Sequence, residues 1–221
     1  MVGVMNHDVV RYDNISQNQN LPQLREYSTP MVITLIGYRG TGKSTLAAPL
    51  AQRLGWCWID ADVELERRAG RTIKQIFETD GEPEFRRLER ELIAELLQQD
   101  RLVVAAGGGA ILNEATRNDL KTSGPVIWLQ ASADVVERRL ATDPTTGQRR
   151  PNLTASGGRD EIERLLKIRE PLYRECSTIV VEADSADPGQ LVDVVFAQLQ
   201  DQLPPEIRDN ENAEQISGRP Q

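Results

Sequence analysis

The stretch Gly37-Tyr38-Arg39-Gly40-Thr41-Gly42-Lys43-Ser44 limits the folds open to this chain more than any other feature, because it joins an apolar strand-like run, MVITLI, to the helical pattern STLAAPLAQRL. The spacing G-x-x-x-x-G-K-[ST] between a strand and a helix is one that wraps phosphate groups. Glycine lets the backbone curl until successive N–H groups face one anion, and the helix N-terminus adds a partial positive charge. Lys43 supplies a full charge for the outer phosphates, and the Ser44 hydroxyl suits Mg2+. Gly37, Gly40, Thr41, Gly42, Lys43, Ser44 and Thr45 are therefore the candidate nucleotide-binding residues. The alternative, a glycine-rich turn with an incidental lysine, leaves the flanking strand and helix unexplained. A nucleoside triphosphate is the expected ligand.

Further apolar runs occur at WCWID (56–60), LVVAA (102–106), PVIWL (125–129) and TIVVEA (178–183), with helical periods between them. Five strands alternating with helices predict a parallel sheet covered on both faces. In EFRRLERELIAELL, Phe85, Leu88, Leu92 and Leu96 recur at steps of three and four, marking the buried face of a helix that starts near Pro83. Arg86 and Glu89 share another face of that helix. Weaker periods predict helices over 43–54, 132–141, 160–170 and 188–202. Residues 1–30 and 203–221 are polar and carry no apolar period, so both ends are expected to be disordered around one domain spanning 31–202. A length of 221 residues fits that single α/β domain.

Composition removes several chemistries. The one histidine, His7, sits in a polar N-terminal stretch, which nearly excludes Ser-His-Asp triads, Cys-His dyads and histidine-ligated metals. Acid–base work falls to carboxylates and lysine. Cys57 and Cys176 lie far apart in apolar segments without CxxC spacing, so both are expected to be buried free thiols in a reducing cytoplasm. A net charge of −8 disfavours non-specific binding to nucleic acid or anionic membrane. No apolar run is long enough to span a bilayer, and the N-terminus lacks the order of a signal peptide, so a soluble cytoplasmic protein is expected. Between Arg138 and Tyr173 eight basic residues face five acidic ones, which suggests a focused anion site.

The acceptor must be read elsewhere, because many phosphate-transfer and motor proteins share the loop. No N/T-K-x-D guanine reader is present, and LVVAA ends in Gly107-Gly108-Gly109 rather than in the Asp of many motors. Strand WCWID ends in Asp60-Ala61-Asp62, at the sheet edge where open α/β folds place ligands. One carboxylate can hold a magnesium water while the other orients an acceptor hydroxyl, although either can also cap the helix VELERRAG. Three glycines in a row imply either a surface that a ligand approaches closely or a mobile turn. Arg86 offers a fork that fits a carboxylate, although alone it reads equally as a surface charge. The polar stretch DPTTGQRRPNLTASGG, with Arg149 and Arg150 at its centre, reads as a lid over about 142–158 that delivers an arginine to the transferring group.

The ordered set GYRGTGKS, Asp60-Ala61-Asp62, DGEPEFRRLE, Gly107-Gly108-Gly109, Arg150-Pro151 and Arg169-Glu170-Pro171-Leu172-Tyr173 resembles the shikimate kinases over residues 31–200 or so. That resemblance implies a nucleoside-monophosphate-kinase type of fold with sheet order 2-3-1-4-5, and ATP-dependent phosphorylation of the 3-hydroxyl of shikimate in aromatic amino-acid synthesis. It assigns Mg2+ to Ser44 and Asp60, and ring hydroxyls and the base role to Asp62. The shikimate carboxylate goes to Arg86 and Arg169, a backbone N–H to Gly108 within the Gly107–Gly109 turn, and ATP phosphates to Lys43 and Arg150, with Arg139 contributing. The interval from Arg139 to Arg150 is a few residues longer than usual, no arginine stands near Asp184–Pro188, and Asn152 replaces the usual leucine after the lid proline. A monomer is expected, since no heptad or spare amphipathic helix is evident. Alternatives are a kinase of similar fold acting on gluconate and a nucleotide-binding regulator without turnover.

Overall fold

The computed structural model describes residues 30–142, 158–184 and 187–205. Five strands, β1 (Val32–Ile36), β2 (Cys57–Asp60), β3 (Leu102–Ala105), β4 (Val126–Gln130) and β5 (Ile179–Glu182), form one sheet in the order β2-β3-β1-β4-β5. Each neighbouring pair is parallel, as the alternation of strands and helices predicts. Between them run α1 (Lys43–Leu54), α2 (Ala61–Ala69), α3 (Ile73–Thr79), α4 (Gly81–Leu96), α5 (Glu114–Ser123), α6 (Ala133–Thr142), α7 (Arg159–Cys176) and α8 (Pro188–Leu199).

The period-2 geometry of a strand divides the core in two. Val32 and Ile36 of β1, Leu102 and Val104 of β3, and Val126 and Trp128 of β4 face a layer that includes Phe85, Ile93 and Leu96 of α4 and Tyr173 and Cys176 of α7. Ile33 and Leu35, Val103 and Ala105, and Ile127 and Leu129 face the opposite way, onto Leu46 and Leu50 of α1 and Val195, Phe196 and Leu199 of α8. Both faces of the central strands are covered, which explains their unbroken apolar runs. Leu203, one residue past the expected boundary at 202, packs into the second layer and is buried.

Helix α4 begins at Gly81, two residues before the expected Pro83, and α7 continues to Cys176 rather than ending at 170. Helices α3 and α5 carry little periodic signal. The first has seven residues and is set by a Thr72–Gln75 capping box. The second, EATRNDLKTS, buries only Thr116 and Leu120 and starts on an Asn113 N-cap. Cys176 is buried as expected, but Cys57 is exposed. Its strand, β2, lies at the sheet edge, where one flank pairs with no other strand among the described residues. Among the described residues no helix is long and apolar enough to cross a membrane. Most of the expected lid, with Arg149, Arg150 and Asn152, and almost all of the two expected tails lie outside the described residues.

Candidate active site

The loop after β1 adopts the curl its glycines allow. Gly37, Gly40 and Gly42 have φ of 140, 79 and 98°, a region that L side chains rarely adopt. A Cβ on Gly37 would stand 2.5 Å from the Leu129 carbonyl oxygen, whereas a Cβ on Gly42 would meet nothing within 4 Å. Gly37 is thus a packing requirement, and Gly42 borders the open space where phosphate is expected. Helix α1 starts on Gly42 with no side-chain cap, so its first N–H groups and the positive end of its dipole stay available to an anion. Lys43 is buried, and its Nζ donates to the carbonyl oxygens of Gly37 (2.9 Å) and Tyr38 (2.8 Å). Thr41 Oγ1 donates to the Tyr38 carbonyl at 2.9 Å, while Ser44 and Thr45 face solvent in the first turn of α1.

Asp60 and Asp62 divide their work. Asp60 caps α2, its Oδ1 accepting from the backbone N–H of Asp62 (2.9 Å) and Val63 (3.2 Å). Its Oδ2 accepts from Ser44 Oγ. Capping and the expected tie to the phosphate loop therefore coexist on one carboxylate. Asp62 follows in the first turn of α2, half-buried at the same sheet edge. Hard oxygen donors from one hydroxyl and one carboxylate fit Mg2+, which takes most of its ligands from water and phosphate. Among the described residues no group of three or more His, Cys, Asp or Glu forms a metal cage.

On the acceptor side, Arg86 of α4 is held from both directions. Nη1 donates to Glu89 at 2.7 Å, and Nε and Nη2 donate to Glu82 at 3.1 and 3.0 Å. The Glu89 side chain is 6 % exposed and that of Glu82 53 %. The first partner is fixed in the core, while the second is a solvent-exposed carboxylate that an incoming anion can displace. The guanidinium lies against the glycine turn: a Cβ on Gly109 would overlap it, with Nη2 at 2.8 Å and Cζ at 2.9 Å. From α7, buried Arg169 donates through Nη1 to the Gly108 carbonyl at 3.2 Å. Gly108 itself abuts the phosphate loop, since a Cβ there would stand 3.1 Å from the Arg39 nitrogen and 3.2 Å from the Gly37 carbonyl oxygen. The turn needs glycine because two side chains and a second loop converge on its backbone.

The structure therefore brings Lys43, Ser44, Asp60, Asp62, Arg86, Gly107–Gly109 and Arg169 to one edge of the sheet. Arg139 of α6 joins them from the side, donating to the carbonyl oxygens of Thr41 (3.3 Å), Gly40 (3.5 Å) and Ala183 (2.6 Å). Tyr173 and Glu82 escaped the residue-level reading, because one sits in a helix read for its arginine and the other in a run of surface charges. The shikimate kinase family model matches residues 39–200. The chain belongs to the shikimate kinase family. It is 40 % identical to a shikimate kinase of Rhodopirellula baltica over 76 % of this chain and 89 % of the relative. With one from Pseudomonas putida the identity is 42 %, over 78 % of this chain and 98 % of the relative. Among solved structures, shikimate kinase from Acinetobacter baumannii in complex with shikimate superposes with a TM-score of 0.73 at 36 % identity, covering 80 % of this chain and 97 % of that one. A gluconokinase from Sinorhizobium meliloti, at 18 % identity and a TM-score of 0.51, shares the fold.

Proposed function

We propose that this chain transfers the γ-phosphoryl group of ATP to the 3-hydroxyl of shikimate, giving shikimate 3-phosphate and ADP. The observation that carries the reading is the contact of Gly108 with the phosphate loop while Gly109 and Gly108 touch Arg86 and Arg169. A phosphate cradle and a pair of carboxylate-reading guanidinium groups thus share one edge. Arg86 and Arg169 bind the ring carboxylate, with bidentate geometry favouring arginine over lysine. Asp62 accepts the proton of the attacking hydroxyl. The acceptor oxygen bonds to the γ-phosphorus as the bond to the β–γ bridging oxygen breaks, and ADP leaves with that electron pair. Lys43 and the α1 N-terminus stabilise the negative charge on the transferring group.

Ser44 and Asp60 would hold Mg2+, whose charge when bound would offset that of the phosphates. Arg150 is assigned to the ATP phosphates, Arg139 keeps the loop carbonyls in place, and the enzyme works as a cytoplasmic monomer. Purified protein with ATP, Mg2+ and shikimate is expected to release ADP in a coupled assay, with gluconate a poor acceptor. Absence of shikimate-dependent ADP release would overturn the reading, and preference for gluconate would move the acceptor to another sugar acid.

A further inference from the structure

The Gly108 carbonyl has a second donor. Tyr173, one turn beyond Arg169 on α7, donates its hydroxyl to the same oxygen at 2.6 Å. The residue is 1 % exposed, and its ring stacks on Trp128 of β4 with centroids 5.7 Å apart. It also lines a cavity of about 170 Å³ that reaches Tyr38 and Thr41 of the phosphate loop. The hydrogen bond to Gly108 ties the hydroxyl to the glycine turn.

The peptide between Gly108 and Gly109 is a planar unit. Its carbonyl is pinned toward α7, so the N–H of Gly109 is turned the opposite way. The Cα of Gly109 lies under the Arg86 guanidinium, and the Cα of Gly108 lies on the backbone of Gly37 and Arg39. Four components meet at this unit: the phosphate loop, both candidate carboxylate-binding arginines and Tyr173. Of the side chains, only Tyr173 is uncharged and has no assigned contact with either substrate.

We infer that Tyr173 is a positioning residue for acceptor recognition: its hydroxyl holds the Gly108–Gly109 peptide at the height that Arg86 and Arg169 need, and leaves Arg169 charge to spare for the substrate. If the hydroxyl is removed, Arg169 becomes the sole side-chain donor to a buried carbonyl and is drawn toward it, away from the acceptor. Tyr173 acts in this way only if shikimate occupies the cleft beside Asp62, Arg86 and Arg169, as proposed above. Turnover by the unaltered chain tests that occupancy, and the variant tests Tyr173.

Tyr173→Phe keeps the ring and its stacking and deletes one donor. Its KM for shikimate is expected to rise about two- to thirteen-fold, the range spanned by one neutral hydrogen bond, with the KM for ATP changed less than about two-fold. Trp128→Phe disturbs the packing of the same ring and is expected to lower Tm while leaving both KM values near those of the unaltered chain. A Tyr173→Phe protein with lowered Tm and unchanged KM for shikimate would overturn the inference. Equal weakening of both substrates would overturn it as well, and so would failure of the variant to fold, since the hydroxyl would then be a group required for folding.

Discussion

The two halves of the site are built on different principles. The phosphate half is one continuous segment, Gly37–Ser44, whose shape follows from glycines at positive φ and from the helix they introduce. The acceptor half is drawn from α2, α4, the turn after β3 and α7, and its parts touch only because the sheet order brings those elements together. A local motif survives as long as its own backbone survives. A dispersed site depends on every element that carries a piece of it, so substitutions there should disturb one substrate and spare the other.

The largest expected effect falls on the continuous half. Lys43→Ala removes the buried ammonium held at 2.9 and 2.8 Å by the loop carbonyls, and kcat should fall roughly 10³-fold or more. Steady-state kinetics showing near-normal kcat would break the assignment of the cradle. Next comes Gly109→Ala. At φ −108° the alanine backbone is unstrained, so the main cost is the collision with Arg86. The guanidinium is displaced, and KM for shikimate should rise roughly 30-fold while KM for ATP holds. If ATP binding weakened equally, the two halves would not be separable at this turn.

Arg86→Lys is milder, because charge is kept and only the fork is lost. An increase of about ten-fold in the KM for shikimate is expected, again without an effect on ATP. The smallest effect compares the two thiols. Burial pushes the Cys176 thiol up to about 11, so it stays protonated and unreactive through neutral and mildly alkaline pH, while exposed Cys57 on edge strand β2 is open to reagent. A thiol-specific reagent at pH 8 should therefore modify one site in the folded protein and two after unfolding. Activity should survive the first modification, since β2 carries its functional carboxylate, Asp60, at the other end from Cys57.

Much of the fold was legible because its signals are local. The five apolar runs became the five strands within a residue or two, and of the α4 stripe Phe85, Leu92 and Leu96 are buried and Leu88 partly buried. The pairing of Arg86 with Glu89 was visible for the same reason, three residues along one helix face. Helix α5 was not visible, since it packs through two residues and is otherwise polar. Nor was the exposure of Cys57, because an apolar run does not say whether its strand lies at the centre or the edge.

By itself the sequence determined the phosphate cradle, the alternation of strands and helices, and, through the order of its motifs, the family. Those features depend on residues close together in the chain, where backbone sterics and helix periodicity act without help. Only the tertiary structure decided that Asp60 both caps α2 and holds Ser44, and that Tyr173 and Arg169 share the Gly108 carbonyl. Such contacts join positions up to 65 residues apart. They exist because a buried polar group must find a partner wherever the packed layers place one.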